Sequence, residues 1–238
     1  MKLHRFIGDF DFSHSILRVT ERDFVEQVIS VLRLARGEEL ILCDGKRNEV
    51  RGKILTYEKG FVEIEILEKK RNEAESECEV TLYLSILKKS NFELAAQKAT
   101  EAGVTHLTPV LSTRTVKLNM PEARISQIMK EASEQSGRGV VPQIHKAIDF
   151  DMALEHAKQN DANLLFDSSG NSMHHILPTL QDARRIGIFI GPEGGFDPEE
   201  VSRAKEKGFK IGNLGKRTLR AETAATIATF IICQLHEE

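Results

Sequence analysis

The sequence predicts an α/β protein with a small N-terminal β domain at residues 1–72 and a larger α/β domain at residues 73–238. Three observations predict this division. Short extended segments separated by turn dipeptides fill the first part. From residue 80 onward, apolar segments of strand length alternate with helical segments, which is typical of a mostly parallel sheet covered on both faces. A charged stretch from Lys69 to Glu79 separates the parts, and we interpret it as a solvated linker.

The N-terminal domain has the pattern of half-buried strands. The segment from Glu39 to Cys43 runs into the turn dipeptide Asp44-Gly45, and the segment from Glu49 to Tyr57 follows it. After a Lys59-Gly60 turn, the segment from Phe61 to Leu67 alternates apolar residues with glutamates, so one face is wet. Because closure protects the edges of such strands, we expect a small β-barrel.

The α/β domain is predicted from apolar runs and helix boundary signals. The predicted strands are Val80 to Leu87, Thr105 to Leu111, Asn163 to Phe166, Ile186 to Ile190 and Phe209 to Leu214. The predicted helices cover 90–103, 121–137, 197–208 and 221–235. A Ser90-x-x-Glu93 capping box begins the first helix, and Asp197 caps the third. The last helix is apolar nearly all round, so we expect it to be buried or to lie at an interface, and its Ile227, Phe230, Ile231 and Leu235 form a surface too apolar for free exposure.

Composition and charge exclude several classes of protein. The chain has 238 residues, of which 40% are hydrophobic, enough for a sizeable core. Its net charge is −3, so any binding of nucleic acid must come from local basic patches. We find no apolar run of about 18 residues and no secretory signal at the N-terminus, and therefore expect neither a membrane span nor export.

The cysteines and histidines predict a cytoplasmic protein without a metal site. Cys43, Cys78 and Cys233 are odd in number and far apart, which argues against a disulfide framework and fits a reducing cytosol. His174 and His175 are adjacent, and adjacent side chains on a helix point apart, so we expect them to be exposed rather than metal ligands.

The candidate ligand site consists of three loops that follow predicted strands. They are Asp167 to Gly170, Gly191 to Phe196, and Gly215 to Thr223. Open α/β sheets bind ligands beyond the carboxyl ends of their strands, and glycines let backbone groups approach a flat heterocycle such as adenine. The alternative for Gly194-Gly195 is a tight turn. The phosphate-binding motif of P-loop proteins, the dinucleotide fingerprint G-x-G-x-x-G and H-E-x-x-H are all absent.

Basic and amide residues occur in groups that could bind phosphate. Arg5, Arg33 and Arg36 lie in the β domain, Arg114 and Lys117 follow a strand, Gln135 and Arg138 end a helix, and Lys216, Arg217 and Arg220 share one loop. Each one alone is an ordinary surface charge. Gathered around the glycine-rich loops, they would form a phosphate-binding surface.

Four strings in the sequence resemble those of the RsmE family of 16S rRNA methyltransferases, which act on uracil N3. They are LKKSNFELAAQKATEAGVTHLTPVLSTRT from Leu87, EASEQSGRGVVP from Glu131, IGPEGGF from Ile190 and LGKRTLRAETA from Leu214. The resemblance implies a PUA-like β-barrel followed by a SPOUT domain with a trefoil knot. It also implies S-adenosyl-L-methionine as cofactor, a homodimer as working unit, and 16S rRNA within the 30S subunit as partner.

The resemblance also assigns residues to roles. It implies a cofactor site made of Phe166, Asp167, Ile190, Gly191, Pro192, Glu193, Gly194, Gly195, Asn213, Leu214, Gly215 and Leu219. The candidate RNA-binding residues are Arg5, Arg33, Lys98, Arg114, Gln135 and Arg138. This chain departs from the family pattern at Ala102 and at Lys216-Arg217-Thr218, and the second departure leaves the role of Thr218 open.

Arg220 and Glu222 are the candidate catalytic residues. Arg220 always carries charge and could hold the uracil oxygens or a phosphate, whereas Glu222 is the nearest candidate base. The alternative for Glu222 is an acid that stabilises the first turn of a helix. Two other functions compete: a non-catalytic RNA-binding protein, and a SPOUT methyltransferase acting on tRNA or on ribose 2′-oxygen.

Overall fold

The computed structural model describes residues 3–115 and 121–235, so Lys117 lies outside the described residues. The chain divides into two compact units. One consists of Met1–Glu75 and Ser133–Val141, and the other consists of Ser76–Ala132 and Pro142–Glu238. The division at Glu75 differs by three residues from the sequence-based boundary, and the segment Ser133–Val141 belongs to the first unit instead of the second.

The first unit contains a curved sheet. Its strands in the described part of the chain are β1 (His4–Ile7), β2 (Ile16–Val19), β3 (Glu39–Cys43), β4 (Asn48–Glu58) and β5 (Phe61–Arg71). Their order is β1-β3-β4-β5-β2, with β1 parallel to β3 and the other pairs antiparallel. The register of β4 against β5 shifts at Arg51/Gly52, where a side chain on Gly52 would collide with Ile64. This bulge bends the sheet around its core.

A short helix closes the core of the first unit. Helix α1 (Arg22–Glu26) continues into a π-helical turn at Gln27–Val31. Its Phe24 packs edge-to-face on Phe6, with ring centroids 4.9 Å apart, and also contacts Phe10. Phe6, Phe10 and Phe24 thus pack together with the inward-facing residues of the long strands in the core of the first unit.

The predicted linker is shorter and less exposed than the sequence indicates. Strand β5 extends to Arg71, so only residues 72–78 connect it to the next strand, which begins at Glu79 in the second sheet. Asn72 is buried and the Glu75 side chain is 5% exposed, which makes the interpretation of the whole stretch as solvated wrong. The carboxylate of Glu75 accepts hydrogen bonds from the backbone N–H groups of Gly139 and Val140, which explains why 133–141 belongs to this unit.

The second unit contains a parallel sheet, as predicted. Its described strands are β6 (Glu79–Ser85), β7 (His106–Leu111), β8 (Gln143–Ile144), β9 (Ile148–Asp149), β10 (Ala162–Ser172), β11 (Arg185–Ile190) and β12 (Lys210–Asn213). The order is β12-β10-β11-β6-β7-β8, and β9 also pairs with β7. All the described pairings in this sheet are parallel.

Helices alternate with these strands. The described helices after residue 76 are α2 (Lys89–Glu101), α3 (Glu122–Ser136), α4 (Phe150–His156), α5 (Met173–Ile176), α6 (Pro198–Glu206) and α7 (Ala221–Gln234), of which α3 runs into the first unit. Tyr83 and Phe189 pack in one cluster with residues of α4 and α6. Alternate strand residues such as Leu82 and Ile188 face the other way and are fully buried, and α7 packs on β6 and β11. In the part of the chain that the structure describes, every helix is too short or too polar to cross a membrane.

Two predictions about helix starts have opposite outcomes. The capping box of α6 is confirmed: Asp197 accepts from the N–H of Glu199, and Glu200 accepts from the N–H of Asp197. The Ser90 capping box of α2 is wrong, because α2 begins at Lys89 and its N-cap, Lys88, makes no side-chain cap hydrogen bond.

Histidines that are scattered in the sequence come together near α4. His106 Nδ1 lies 3.1 Å from His145 Nε2, and His156 Nδ1 lies 2.8 Å from the Tyr83 hydroxyl. Burial lowers the pKa of His106 and of His145, and the neighbouring histidines lower it further, whereas Glu79 partly offsets the shift at His106. The surroundings therefore favour the neutral form of both imidazoles in the folded protein.

We expect the free energy of unfolding to fall as the pH drops below about 6.5, the ordinary histidine pKa. The unfolded chain binds protons there that folded His106 and His145 do not, so acid favours unfolding. The measurement is urea unfolding between pH 7.5 and 5 on the intact chain and on His106→Asn, in which the dependence should weaken. His4→Asn, at an exposed position, is the control and should keep the full dependence. An unchanged dependence in His106→Asn would contradict the assignment.

Candidate functional site

The three predicted loops lie side by side at one edge of the parallel sheet. Strand β10 pairs with β11 on one side and with β12 on the other. Phe166 is in register with both Ile190 and Gly212, so the loops that follow these residues leave the sheet together. We call 166–172, 190–196 and 213–219 together the loop edge. The three loops therefore lie next to one another, as the alternation of strands and helices in the sequence predicts.

The first loop is an extension of strand β10. The sequence predicts that the strand ends at Phe166, but β10 continues to Ser172, with its register against β12 shifted between Phe166 and Asn171. Asp167 accepts hydrogen bonds from the N–H and the hydroxyl of Ser169, which shapes the bulge. A side chain at Gly170 would lie 2.6 Å from the backbone carbon of Gly212, so only glycine permits this close approach.

The second loop turns sharply after a buried strand. Ile190, Gly191 and Pro192 are buried, whereas Glu193 and Gly194 are exposed. The N–H of Gly195 donates to the carbonyl of Pro192 at 2.8 Å, and Gly195 has φ +69°, so the tight-turn interpretation of Gly194-Gly195 is also correct. A Cβ at Gly195 would have no protein atom within 4 Å, which leaves open space in front of this backbone.

Residues that follow β7 hold the second loop in place, and we call the contacts of Arg114 and Glu200 described here the latch. Arg114 donates to the carbonyl of Gly194 at 2.8 Å and pairs with Asp197 at 3.2 Å. Glu200, which is 1% exposed, accepts the N–H of Thr113 at 2.8 Å. These bonds tie the loop after β7 to the loop after β11. Sequence reasoning missed Thr113 and Glu200, because the capping box at Asp197 gives no sign of a second partner for Glu200.

The third loop is joined to the first by an amide side chain. Asn213 donates to the carbonyl of Ser168 at 2.8 Å and accepts the N–H of Gly215 at 2.7 Å. Leu214 and Leu219 are half-buried, whereas residues 215–218 are exposed, including Thr218. Phe166 and Asp167 are also half-buried. The loop edge thus combines apolar side chains with glycine-rich backbone.

The candidate catalytic residues lie at the start of α7. Arg220 is the exposed N-cap residue, and Glu222 is 7% exposed in the first turn. The Oε2 atom of Glu222 is buried and has no hydrogen-bond partner in the described residues. A buried acceptor without a donor costs free energy, and the position of Glu222 in the first turn also fits the helix-dipole alternative.

The six candidate RNA-binding residues have different surroundings. Arg33 and Gln135 are exposed in the first unit. In the second unit, Lys98 forms an ion pair with Glu101 at 2.9 Å, and Arg114 belongs to the latch described above. Neither Lys98 nor Arg114 is buried, so both can also contact RNA.

Arg138 is buried and Arg5 is mostly buried, each in an ion pair, which argues against their assignment to phosphate contacts. Arg5, with 13% of its side chain exposed, contacts Glu49 at 2.5 Å. Burial alone would raise the pKa of Glu49, but the hydrogen bonds from Arg5 and Asn72 outweigh it and hold the pKa below the usual range. Arg138, 3% exposed, pairs with Glu75 at 2.6 Å. A phosphate at either guanidinium would compete with an existing carboxylate partner.

The described residues contain no group of three or more His, Cys, Asp or Glu side chains arranged to hold a metal ion. The three cysteines are buried and are not disulfide-bonded.

Comparison with known proteins identifies relatives along the whole chain. A family model described as an RNA methyltransferase domain matches residues 74–233. Ribosomal RNA small subunit methyltransferase E of Mesomycoplasma hyopneumoniae is 38% identical over 167 residues, which cover 68% of this chain and 72% of the relative. The protein of the same name from Rickettsia conorii is 30% identical over 234 residues, covering 96% of this chain and 94% of the relative.

Solved structures share the fold. Ribosomal RNA small subunit methyltransferase E from Neisseria gonorrhoeae, bound to S-adenosyl methionine, has a TM-score of 0.89 and 31% identity, with 98% of each chain covered. A methyltransferase from Legionella pneumophila in complex with the same cofactor has a TM-score of 0.88 and 25% identity, with 98% of this chain and 97% of that chain covered.

We expect Arg138→Ala to destabilise the protein by about 3–5 kcal/mol, because it leaves Glu75 buried without its partner. The measurement is the denaturant dependence of unfolding. Arg33→Ala, at an exposed position, is the control and should change the free energy of unfolding by less than about 0.5 kcal/mol. A wild-type unfolding midpoint for Arg138→Ala, combined with weaker RNA binding, would restore the phosphate-contact hypothesis.

Proposed function

The chain belongs to the ribosomal RNA small subunit methyltransferase E family, and on that premise we propose that it transfers a methyl group from S-adenosyl-L-methionine to small-subunit rRNA. The observation that carries the proposal is the convergence of three glycine-containing loops at the ends of β10, β11 and β12. Full-length similarity to relatives of that name supports the same conclusion.

The residues of the loop edge fit this cofactor. Open space in front of Gly195 and Gly215 leaves their backbone groups accessible to a flat heterocycle. Phe166, Ile190 and Leu214 supply apolar walls, and backbone N–H and C=O groups of the glycine-rich loops supply the polar contacts. We propose that all twelve loop residues named for the cofactor act together in holding it. When bound, the cofactor supplies an electrophilic methyl group.

The target atom that we propose is N3 of a uridine. Because N3 carries a proton at neutral pH, the proton must leave as the N3–methyl bond forms. Glu222 accepts it through Oε2, the buried oxygen that lacks a donor. The guanidinium of Arg220 stabilises the negative charge that develops on the uracil oxygens. N3 lies on the Watson–Crick edge, so the uridine must be unpaired when it reacts.

We propose that the first unit binds the rRNA through exposed polar residues, including Arg33 and Gln135. The bulge at Gly52 and the curved five-stranded sheet of the described residues support its identification as a PUA-like barrel. In the second unit, Lys98 and Arg114 provide further cations. A substrate in the 30S subunit implies that the protein acts in the cytoplasm.

The path of the chain after β12 supports a trefoil knot in the SPOUT domain. Strand β12 lies at the sheet edge beyond β10, yet α7 packs on β6 and β11 in the middle of the sheet. The connecting residues 214–220 must therefore return across the end of β10, next to the extension at 167–172. We propose that this crossing threads the chain.

The exposed face of α7 supports a homodimer. Phe230 on α7 is 53% exposed, and Leu94 on α2, the helix packed against α7, is 42% exposed. Ile227, Ile231 and Leu235 beside them are only half-buried. A second copy of this chain would bury these apolar side chains.

We expect Gly195→Ala to weaken binding of S-adenosyl-L-methionine at least tenfold, because the methyl group enters the open space in front of the loop. Gly208→Ala is the matched control, because Gly208 has φ +83° and no protein atom within 4 Å of a Cβ, like Gly195. Both variants carry the same backbone strain, of about 1–2 kcal/mol. Titration calorimetry distinguishes them: equal cofactor affinities would remove Gly195 from the site.

We expect the purified protein to methylate 16S rRNA, with 3-methyluridine as the product seen by nucleoside mass spectrometry. Arg220→Ala should lower the single-turnover rate about 10²–10³-fold with RNA and cofactor saturating, because one charge beside the developing anion is lost. Glu222→Gln should slow the same step, and higher pH should partly restore it, because hydroxide can then remove the N3 proton.

The outcomes separate the competing functions. An RNA-binding protein without catalysis would bind 16S rRNA and transfer no methyl group. Another modified nucleoside would keep the methyltransferase and refute the N3 assignment. A wild-type single-turnover rate for Arg220→Ala would show that this turn holds only the cofactor.

A further inference from the structure

A second cleft opens beside the loop edge in the second unit. It has a volume of about 510 Å³. Its lining comes from the extension of β10, from α5 and the turn after it, and from the segment that joins α6 to β12: Ser169, Gly170, Asn171, His175, Ile176, Thr179, Lys205, Phe209, Lys210 and Ile211. Ser169, Gly170 and Asn171 also belong to the loop edge, whereas the two lysines have not been assigned a role above.

The polar lining of this cleft is basic, without an acidic residue. Lys205 is exposed and Lys210 is half-buried over the apolar residues Phe209 and Ile211. Among residues 3–115 and 121–235, neither lysine forms an ion pair. Lys207, two positions from Lys205, instead pairs with Glu155. A lysine that lines a cleft and has no counter-ion there favours an anionic ligand.

Neutral groups in the cleft suit a phosphate. The Asn171 side-chain amide makes no hydrogen bond with another described residue, so its N–H groups can be donated. Asp167, the carboxylate adjoining this strand segment, is already bonded to the N–H and hydroxyl of Ser169. The cleft therefore offers the hydrogen-bond donors of two lysines and an amide to the oxygens of a phosphate.

We propose that the cleft of Lys205, Lys210 and Asn171 binds a backbone phosphate of the RNA substrate. The inference rests on the proposed function, since it takes the RNA as the source of the phosphate. Continuity supports that source: Ser169 to Asn171 belong to the strand that carries Phe166 and Asp167, and Ser168 is bonded to Asn213 of the third loop. RNA that reaches the loop edge can therefore pass over the cleft.

The test is a double variant, Lys205→Ala/Lys210→Ala, measured by filter binding to a 16S rRNA transcript at several KCl concentrations. We expect affinity to fall about tenfold, as for loss of hydrogen bonds from charged donors. The slope of log affinity against log salt should decrease by about one, as for one phosphate contact. Affinity for S-adenosyl-L-methionine without RNA should be unchanged, which also confirms folding.

Lys158→Ala/Lys207→Ala is the matched control. This variant also removes two positive charges from the second unit, but Lys158 and Lys207 pair with Glu155 outside the cleft. A wild-type salt slope for Lys205→Ala/Lys210→Ala, or an equal loss in both double variants, would overturn the proposal. If the wild type neither binds nor methylates 16S rRNA, the proposed function itself fails.

Titration with inorganic phosphate at constant ionic strength distinguishes the sources of the anion. Weak phosphate binding that disappears in Lys205→Ala/Lys210→Ala, together with the reduced salt slope, supports the RNA backbone as occupant. Phosphate binding that disappears with no change in the salt slope would overturn the RNA assignment in favour of a free phosphate ligand.

Discussion

The pairing of β12 with the outer side of β10 is the constraint on which the site depends. β12 follows β11 along the chain, but in the sheet it lies next to β10, on the side away from β11. Because these three adjacent strands are parallel, the loops that follow them emerge side by side at the same end of the sheet. The close approach of Gly170 to the backbone of Gly212 makes this pairing possible, because any side chain at Gly170 would collide with it. The hydrogen bond from Asn213 to Ser168 then joins two of the loops.

Several buried carboxylates have partners in both units. Glu49 and Glu75 in the first unit pair with arginines and accept further hydrogen bonds, and Glu200 in the second unit accepts two backbone N–H groups. In the second unit, a carboxylate oxygen of Glu222 has no donor and Lys210 has no counter-ion among the described residues. A buried polar atom without a partner costs free energy, and we therefore propose that a ligand supplies the missing contacts at Glu222 and in the cleft of Lys210.

The latch at Arg114 explains how a glycine-rich loop can be ordered. Glycines free the backbone to meet a ligand, but they also raise the entropy lost on ordering the loop. Arg114 and Glu200 offset this by tying the loop to the residues after β7, and the turn at Gly195 adds a local hydrogen bond. A loop held in this way needs little rearrangement on binding, which favours affinity.

The sequence by itself determined the division into a β part and an α/β part, the parallel sheet, and the positions of the three loops. These follow from periodicity and from glycine and proline, which act over a few residues. The tertiary structure alone decided that Arg5 and Arg138 form ion pairs, because their partners Glu49 and Glu75 are distant in the sequence. It also decided that His106, His145 and His156 meet, that Arg114 holds a loop, and that Lys205 and Lys210 share a cleft. Such contacts depend on how strands are ordered in a sheet, and local pattern carries no information on that order.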